Sequence, residues 1–214
     1  MSKKDTAQFW DTAHRYLDHH LKVIRQVSSH TIDSYRDCLN SFIDYLERVE
    51  NVSRKKISFN NFEKETIKRY QTWMITEQGL APKTCNLRLT AIRAFLEYAA
   101  QEYLWIMPFY TDACTIVGVK TTNHAIEYFE PNEMTALLAS PSGNNKTDRR
   151  NQMMLIFLYD TAARVAEARQ VKVSDLHLDA EVPYVTLLGK GRKYRNIPLM
   201  EKTILHLKRF MKDF

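Results

Sequence analysis

The hydrophobic pattern of this chain changes from long stretches with helical spacing to short strand-like segments around a pair of glycines. In the first hundred residues apolar side chains recur every three or four positions, which predicts amphipathic helices. Three later segments are typical of strands: Leu176–Leu178, Tyr184–Leu188 and Tyr194–Ile197. The last two flank Gly189–Gly191, where a hairpin can reverse the chain. We therefore predict a mainly α chain with a small antiparallel β-sheet.

Capping and stop signals set the helix boundaries in the first half. Asn60 and Glu63 have the spacing of a capping pair for a third helix. That helix is predicted to stop at Gly79, because glycine suits a left-handed C-terminal cap. A fourth helix is predicted from Pro82 to about Tyr103, since proline is tolerated in a first helical turn.

The fourth helix carries two stripes of different character. Five apolar residues form a predicted inward stripe: Leu87, Ala91, Ile92, Phe95 and Tyr98. A polar stripe at positions i, i+3, i+7 and i+10 comprises Lys83, Asn86, Thr90 and Arg93. The polar stripe could lie along a DNA groove or could be a merely solvated face, and the residues leave both interpretations open.

The 214 residues are enough for two modest domains. Apolar periodicity fails between Pro108 and Tyr128, which predicts a helical domain over residues 1–107, a linker over 108–128 and a second domain over 129–214. In the second domain, Thr147 or Asp148 is predicted to cap a helix. A last helical pattern is still running at Phe214, so this domain is expected to be incomplete.

Charge and cysteine usage narrow the class of partner and compartment. The net charge of +6 and the pI near 9.1 favour a polyanionic partner. Cys38, Cys85 and Cys114 are far apart and odd in number, so we expect three buried thiols rather than disulfides or a zinc site. No run reaches the ~18 apolar residues of a membrane helix, and no signal peptide is evident. A soluble, cytoplasmic protein is expected.

Two segments of the chain resemble the tyrosine recombinases, the phage integrase family. Ser29-x-Thr31-Ile32-x-x-Tyr35-Arg36, with Gly79–Thr84, is similar to the family's helical, SAM-like core-binding domain. Asp160–Glu167, followed by Gly189–Leu199, is similar to the opening part of its catalytic domain. The resemblance implies a SAM-like helical domain followed by an incomplete α+β catalytic domain.

The resemblance also implies a reaction, the cleavage of a DNA strand by a tyrosine. In the family a tyrosine attacks a DNA phosphodiester and leaves a 3′-phosphotyrosine, and no metal or cofactor is implied. By position Arg164 would bind oxygens of the scissile phosphate, a task that suits the paired donors of a guanidinium. Lys190 would protonate the leaving 5′ oxygen. Glu167 would support Arg164 from one helical turn along, or is an ordinary helix ion pair. Three further hairpin residues are predicted to contact DNA: Arg192, Lys193 and Arg195.

The chain departs from the family pattern at several points. Ala162 stands where glycine is common and Ala166 where serine is frequent, so the turn into Arg164 could differ. The family's His-x-x-Arg box and nucleophilic tyrosine belong well downstream of the hairpin, beyond the residues of this chain. His206–Arg209 fits that box literally but follows the hairpin too closely, and Tyr194 is predicted to be an ordinary strand residue.

The leading hypothesis is a chain that binds double-stranded DNA at a recombination site, as the DNA-binding portion of an integrase-type site-specific recombinase, and does not cleave it. A naturally truncated recombinase that regulates recombination through DNA binding is the alternative. A helical protein-interaction module with an incidental basic balance is a third possibility. We expect a monomer free in solution, whereas the family assembles as a tetramer on DNA.

Overall fold

The computed structural model describes residues 3–122, 127–141, 145–189, 191 and 193–213. It divides into two compact units, here called the first unit (Met1–His124) and the second unit (Ala125–Phe214). Helices predominate, and a three-stranded antiparallel sheet lies in the second unit. The predicted fold class is therefore confirmed.

The first unit is helical throughout its regular structure. Its described helices are α1 (Lys3–His14), a π-helical segment (Arg15–Ile24), α2 (Ser29–Arg48), α3 (Lys64–Thr76), α4 (Pro82–Glu102) and α5 (Met107–Thr115). Ser28 caps α2, because its side chain accepts a hydrogen bond from the backbone N–H of Thr31 at 3.2 Å. Short 3₁₀ turns lie at Arg54–Lys56, Phe59–Phe62 and Leu104–Ile106.

Four phenylalanines form the centre of the first unit's core. Phe9, Phe59, Phe62 and Phe95 are each at most 1% exposed. Every pair among them has ring centroids between 5.4 and 6.2 Å apart, the range in which aromatic rings attract one another. Phe9 lies in α1, Phe59 and Phe62 lie in the 3₁₀ turn before α3, and Phe95 lies in α4. The cluster therefore joins three parts of the chain.

Helix α4 confirms most of its predicted inward stripe and corrects one member. Ala91, Ile92, Phe95 and Tyr98 are buried, but Leu87 is 54% exposed. The buried stripe continues toward the N-terminus through Leu89 and Cys85 instead. Helical spacing alone groups Leu87 with Ala91, four positions later, so only the burial in the folded chain separates the two residues.

The start of α3 differs from the predicted capping pair. The backbone N–H of Ser58 donates to Oδ1 of Asn61 at 2.9 Å and so closes the turn before the helix. Glu63 is the N-cap residue of α3, with an extended backbone. Asn60 and Glu63 are therefore not a capping pair, because the pairing lies two residues earlier. Gly79 does adopt the left-handed backbone conformation, with φ of +59°.

The segment predicted as a linker begins with a packed helix. Helix α5 occupies Met107–Thr115, and Pro108 lies within its first turn, where proline is compatible with a helix. Ala113 is fully buried and Ile116 is 5% exposed, both in the core of the first unit. The first unit thus extends past residue 107, and the irregular pattern from Pro108 onward does not mark a linker at its start.

The second unit packs helices against the sheet. Its described elements are α6 (Pro131–Ala139), α7 (Lys146–Thr161), α8 (Val165–Ala168), β1 (Leu176–His177), β2 (Tyr184–Leu188), β3 (Tyr194–Pro198) and α9 (Glu201–Asp213). Strand β2 lies between β1 and β3 and pairs antiparallel with both. Asn145, rather than Thr147 or Asp148, caps α7 by accepting a hydrogen bond from the backbone N–H of Asp148 at 2.9 Å.

Two further expectations concern thiols and membranes. Cys38 and Cys85 are buried, but Cys114 is exposed, so the prediction of three buried thiols is wrong for Cys114. Within the described ranges, none of the helices combines the length and the apolar character that crossing a membrane requires.

Candidate functional site

A tight turn at the end of α7 brings Arg164 to the start of α8. Thr161 is 2% exposed, and its hydroxyl donates to the carbonyl of Phe157 at 2.6 Å. Ala162 then adopts the left-handed conformation, with φ of 47° and ψ of 30°. Arg164 follows with an extended backbone as the N-cap residue of α8. The left-handed turn is therefore made although alanine stands where glycine is common in the family.

Replacement of Ala162 by glycine is expected to stabilise the second unit by about 0.5–1 kcal/mol, because the relief of strain in the left-handed region exceeds the entropy that glycine adds to the unfolded chain. Ala166→Gly is the matched control at an exposed position of α8, where glycine should destabilise by about 0.5–1 kcal/mol. Hydrogen exchange of the β2 amides measures both changes. A destabilised Ala162→Gly protein would contradict the left-handed turn.

Glu167 is the centre of the site in the second unit. Its side chain is 6% exposed. Oε2 accepts from the backbone N–H of Arg164 at 2.9 Å, and Oε1 accepts from the Arg164 guanidinium at 2.8 Å. The Arg195 guanidinium donates to Oε1 at 3.2 Å and to Oε2 at 2.7 Å. One carboxylate therefore receives four hydrogen bonds from two arginines.

These contacts set the charge state of the site. Hydrogen bonds from Arg195 and then from the Arg164 backbone and side chain lower the pKa of Glu167 to about 2. The Glu167 carboxylate raises the pKa of Arg195 in turn. Glu167 is consequently ionised at neutral pH. The Arg164 side chain is 70% exposed, so its guanidinium is oriented by a buried anion and still open to solvent.

The depressed pKa of Glu167 predicts a pH dependence of stability. A carboxyl group titrates near 4.3 when unfolded, so its stabilising effect is complete above about pH 5 and is lost as the pH falls toward 2. The difference in stability between wild type and Glu167→Gln should shrink over this window, since glutamine does not titrate. A difference constant from pH 6 to pH 2.5 would contradict the assigned contacts.

The hairpin between β2 and β3 adjoins the same carboxylate. Lys190 and Arg192, predicted to act on DNA, lie outside the described residues. The backbone N–H of Gly189 donates to the carbonyl of Lys193 at 2.8 Å, and the Lys193 side chain is exposed. Arg195 is half-buried and turned toward Glu167, a contact that helical and strand periodicity could not reveal.

Asp160 makes a second long-range contact that the sequence pattern does not predict. Its Oδ2 accepts a hydrogen bond from the backbone N–H of Met200 at 3.0 Å, forty residues along the chain. This bond ties the turn before Arg164 to the residues that follow β3. The only indication of this contact in the sequence is that Asp160 is the first residue of the segment that resembles the family.

The polar stripe of α4 lies in the first unit and divides into two pairs. Asn86 accepts from the backbone N–H of Val119 at 2.7 Å and donates to its carbonyl at 2.9 Å. Arg93 donates to the carbonyls of Ala113, at 3.0 Å, and of Ile116. These two side chains therefore hold the chain after α5 against α4. Lys83 and Thr90 are the exposed pair of the stripe.

The literal match to the His-x-x-Arg box and the tyrosine beside the hairpin are both exposed. His206 and Arg209 are exposed on α9, and the Tyr194 side chain on β3 is 72% exposed. Across the described ranges, no three His, Cys, Asp or Glu side chains come together as a metal site would require.

Sequence models of two domains match the chain. The Phage integrase SAM-like domain matches residues 4–114, and the Phage integrase family matches residues 127–214. The two matches follow the order in which the resembling segments were found. The resemblance expected from the sequence is confirmed.

Individual relatives agree with the domain matches. Tyrosine recombinase XerC of Staphylococcus haemolyticus is 30% identical over 195 residues, which are 91% of this chain and 61% of that protein. Tyrosine recombinase XerD of Halalkalibacterium halodurans is 36% identical over 184 residues, 85% of this chain and 57% of that protein. The chain thus spans about three fifths of the length of these relatives.

A solved structure shows the same fold. The Tn1549 transposon integrase, in complex with a circular intermediate DNA, aligns with a TM-score of 0.65 and 17% sequence identity. The alignment covers 98% of this chain and 66% of that one. The chain therefore shares the fold of that integrase structure.

Proposed function

The chain belongs to the phage integrase family of tyrosine recombinases, and we propose that it binds duplex DNA at a recombination site without cutting it. In this role the first unit is the core-binding domain and the second unit supplies part of the phosphate site. The domain bounds that we propose are those of the two compact units, with the connection near residue 124.

The Arg164–Glu167 pair is the observation that carries this proposal. A guanidinium binds phosphate well because it stays charged and offers paired donors. Here a carboxylate that is 6% exposed holds Arg164, while the arginine side chain is 70% exposed. Such an arrangement orients the cation without hiding it from a ligand. A phosphate oxygen of DNA is the ligand that the family membership indicates.

Arg164→Gln tests this site by fluorescence anisotropy with a labelled duplex. Loss of one phosphate contact should weaken binding about tenfold, the equivalent of about 1.4 kcal/mol. Arg169→Gln is the matched control, because it removes the same charge from an exposed position five residues away. Equal effects of the two substitutions would show that only net charge matters and would count against a phosphate site at Arg164.

Cleavage is a separate part of the proposal. We propose that residues 1–214 form no 3′-phosphotyrosine, because none of their tyrosines matches the position that the resemblance gives to the nucleophile. A nicked suicide duplex, which traps covalent intermediates, should give no protein–DNA adduct on a denaturing gel. An adduct would overturn this part of the proposal and leave the binding claim intact.

A regulator that binds DNA at a recombination site and does not cleave it is the second candidate function, and the reading frame of the source genome distinguishes it from the enzyme. A stop codon directly after the codon for Phe214 in the source genome would favour the regulator. A frame that continues into a His-x-x-Arg box and a tyrosine would favour the enzyme.

We further propose a cytoplasmic protein that is monomeric without DNA. A tetramer in light scattering of the free protein would contradict the monomer.

A further inference from the structure

Arg195 occupies a position in β3 where a charged side chain needs a partner. In the sheet register Arg195 pairs with Leu187, two residues from the pair formed by Val185 and Ile197. Leu187 and Val185 are 1% and 0% exposed, so this side of the sheet faces the core of the second unit. A guanidinium on a core-facing position is costly unless an anion compensates it. The position therefore calls for an internal role rather than a surface one.

Glu167 supplies the compensating anion, and each of its carboxylate oxygens accepts one hydrogen bond from Arg164 and one from Arg195. Oε1 accepts from Nη1 of Arg164 and from Nη1 of Arg195, at 2.8 and 3.2 Å. Oε2 accepts from the backbone N–H of Arg164 and from Nη2 of Arg195, at 2.9 and 2.7 Å. Each oxygen is thus shared between the two arginines. Since Arg195 binds both oxygens, it fixes the plane of the carboxylate that Arg164 contacts.

Gly189 leaves the space that the Arg195 head group needs. A Cβ atom at Gly189 would lie 3.0 Å from Nη1 of Arg195 and 3.5 Å from Oε1 of Glu167. Contacts of 3.0 Å are closer than carbon and nitrogen normally approach, so a side chain there would require the guanidinium to shift by a few tenths of an ångström. The Arg195–Glu167 pair therefore packs closely against the residue that follows β2.

We propose that Arg195 is a positioning residue: it holds Glu167 in place so that Glu167 can orient Arg164 for a phosphate. This inference rests on the proposed function and deepens it, and it replaces the expectation that Arg195 contacts DNA directly. Arg195 differs from Arg164 in the way such a role requires. Its side chain is 39% exposed against 70% for Arg164, and it donates two hydrogen bonds to one buried carboxylate.

The first test needs no DNA. The pH titration of the Glu167 carboxyl carbon is followed by NMR in the wild-type protein and in Arg195→Met. The midpoint should rise by at least about one pH unit in Arg195→Met, because the largest cause of the depressed pKa is gone. Arg195→Lys should give an intermediate midpoint, since it keeps the charge but not the paired geometry. An unchanged midpoint in either variant would overturn the inference, and Arg195→Lys alone decides if Arg195→Met does not fold.

The second test is a double-mutant cycle on the affinity for a labelled duplex. If Arg195 acts through Arg164, Arg195→Met should weaken binding in the wild-type background and have no further effect in Arg164→Gln. Losses that multiply in the double variant, for example from tenfold to a hundredfold, would show an independent DNA contact and overturn the inference. If the wild type binds no DNA, the proposed function fails, and the titration of Glu167 still decides the role of Arg195.

Discussion

Phe95→Ala is expected to lower the free energy of unfolding of the first unit by about 3–5 kcal/mol. Phe95 is fully buried and touches the three other rings of the phenylalanine cluster. Removing the ring takes away its buried apolar surface and leaves a cavity that the surrounding rings fill only in part. Urea unfolding followed by tryptophan fluorescence reports this unit selectively, because Trp10, Trp73 and Trp105 all precede residue 124.

Leu87→Ala is the matched control on the same helix. Leu87 is 54% exposed, so its replacement should change the free energy of unfolding by less than about 0.5 kcal/mol. The sequence pattern predicts both residues on the inward stripe, so the pair of variants also tests the difference in burial between them. Similar losses in the two variants would contradict the burial that distinguishes them.

Arg93→Ala is expected to destabilise the first unit by about 2 kcal/mol. Its guanidinium donates to the carbonyls of Ala113 and Ile116 and so holds the end of α5. Hydrogen bonds that involve a charged group contribute about 1.5–3 kcal/mol each when buried, and the half-buried position of Arg93 reduces the sum. Urea unfolding with tryptophan fluorescence again gives the value.

Thr90→Ala and Lys83→Ala are the controls for Arg93→Ala, because both residues are exposed on the same stripe. Their effects on stability should stay within about 0.5 kcal/mol. The interpretation of the whole stripe as a DNA face leads to a different result for Arg93→Ala, namely weaker DNA binding with unchanged stability. That result would contradict the structural role of Arg93.

The fold class could be predicted because burial imposes a period on the sequence. Helix α4 and strands β2 and β3 lie within about one residue of their predicted bounds, since each buries a regular face. Helix α5 could not be predicted in the same way. It is short, contains Pro108 and Asp112, and is held by hydrogen bonds from Arg93 twenty residues earlier.

The candidate site could be predicted only in part, for a similar reason. The motif segment identified Arg164 and Glu167, which are neighbours along the chain. The contact between Glu167 and Arg195 joins residues 28 positions apart, and the sequence had placed Arg195 with the DNA-contacting residues. Strand alternation places Arg195 on the same face as Ile197, but the sequence does not show that Glu167 lies against that face.

DNA binding as a function of salt tests the central claim most directly. A chain that binds duplex DNA through several phosphate contacts should lose affinity steeply, and the logarithm of its association constant should fall linearly with the logarithm of salt concentration. We predict a slope steeper than about −3, corresponding to more than three phosphates, for the wild-type protein measured by anisotropy. Absence of binding at low salt, or a slope near zero, would contradict the proposal and favour a protein-interaction module.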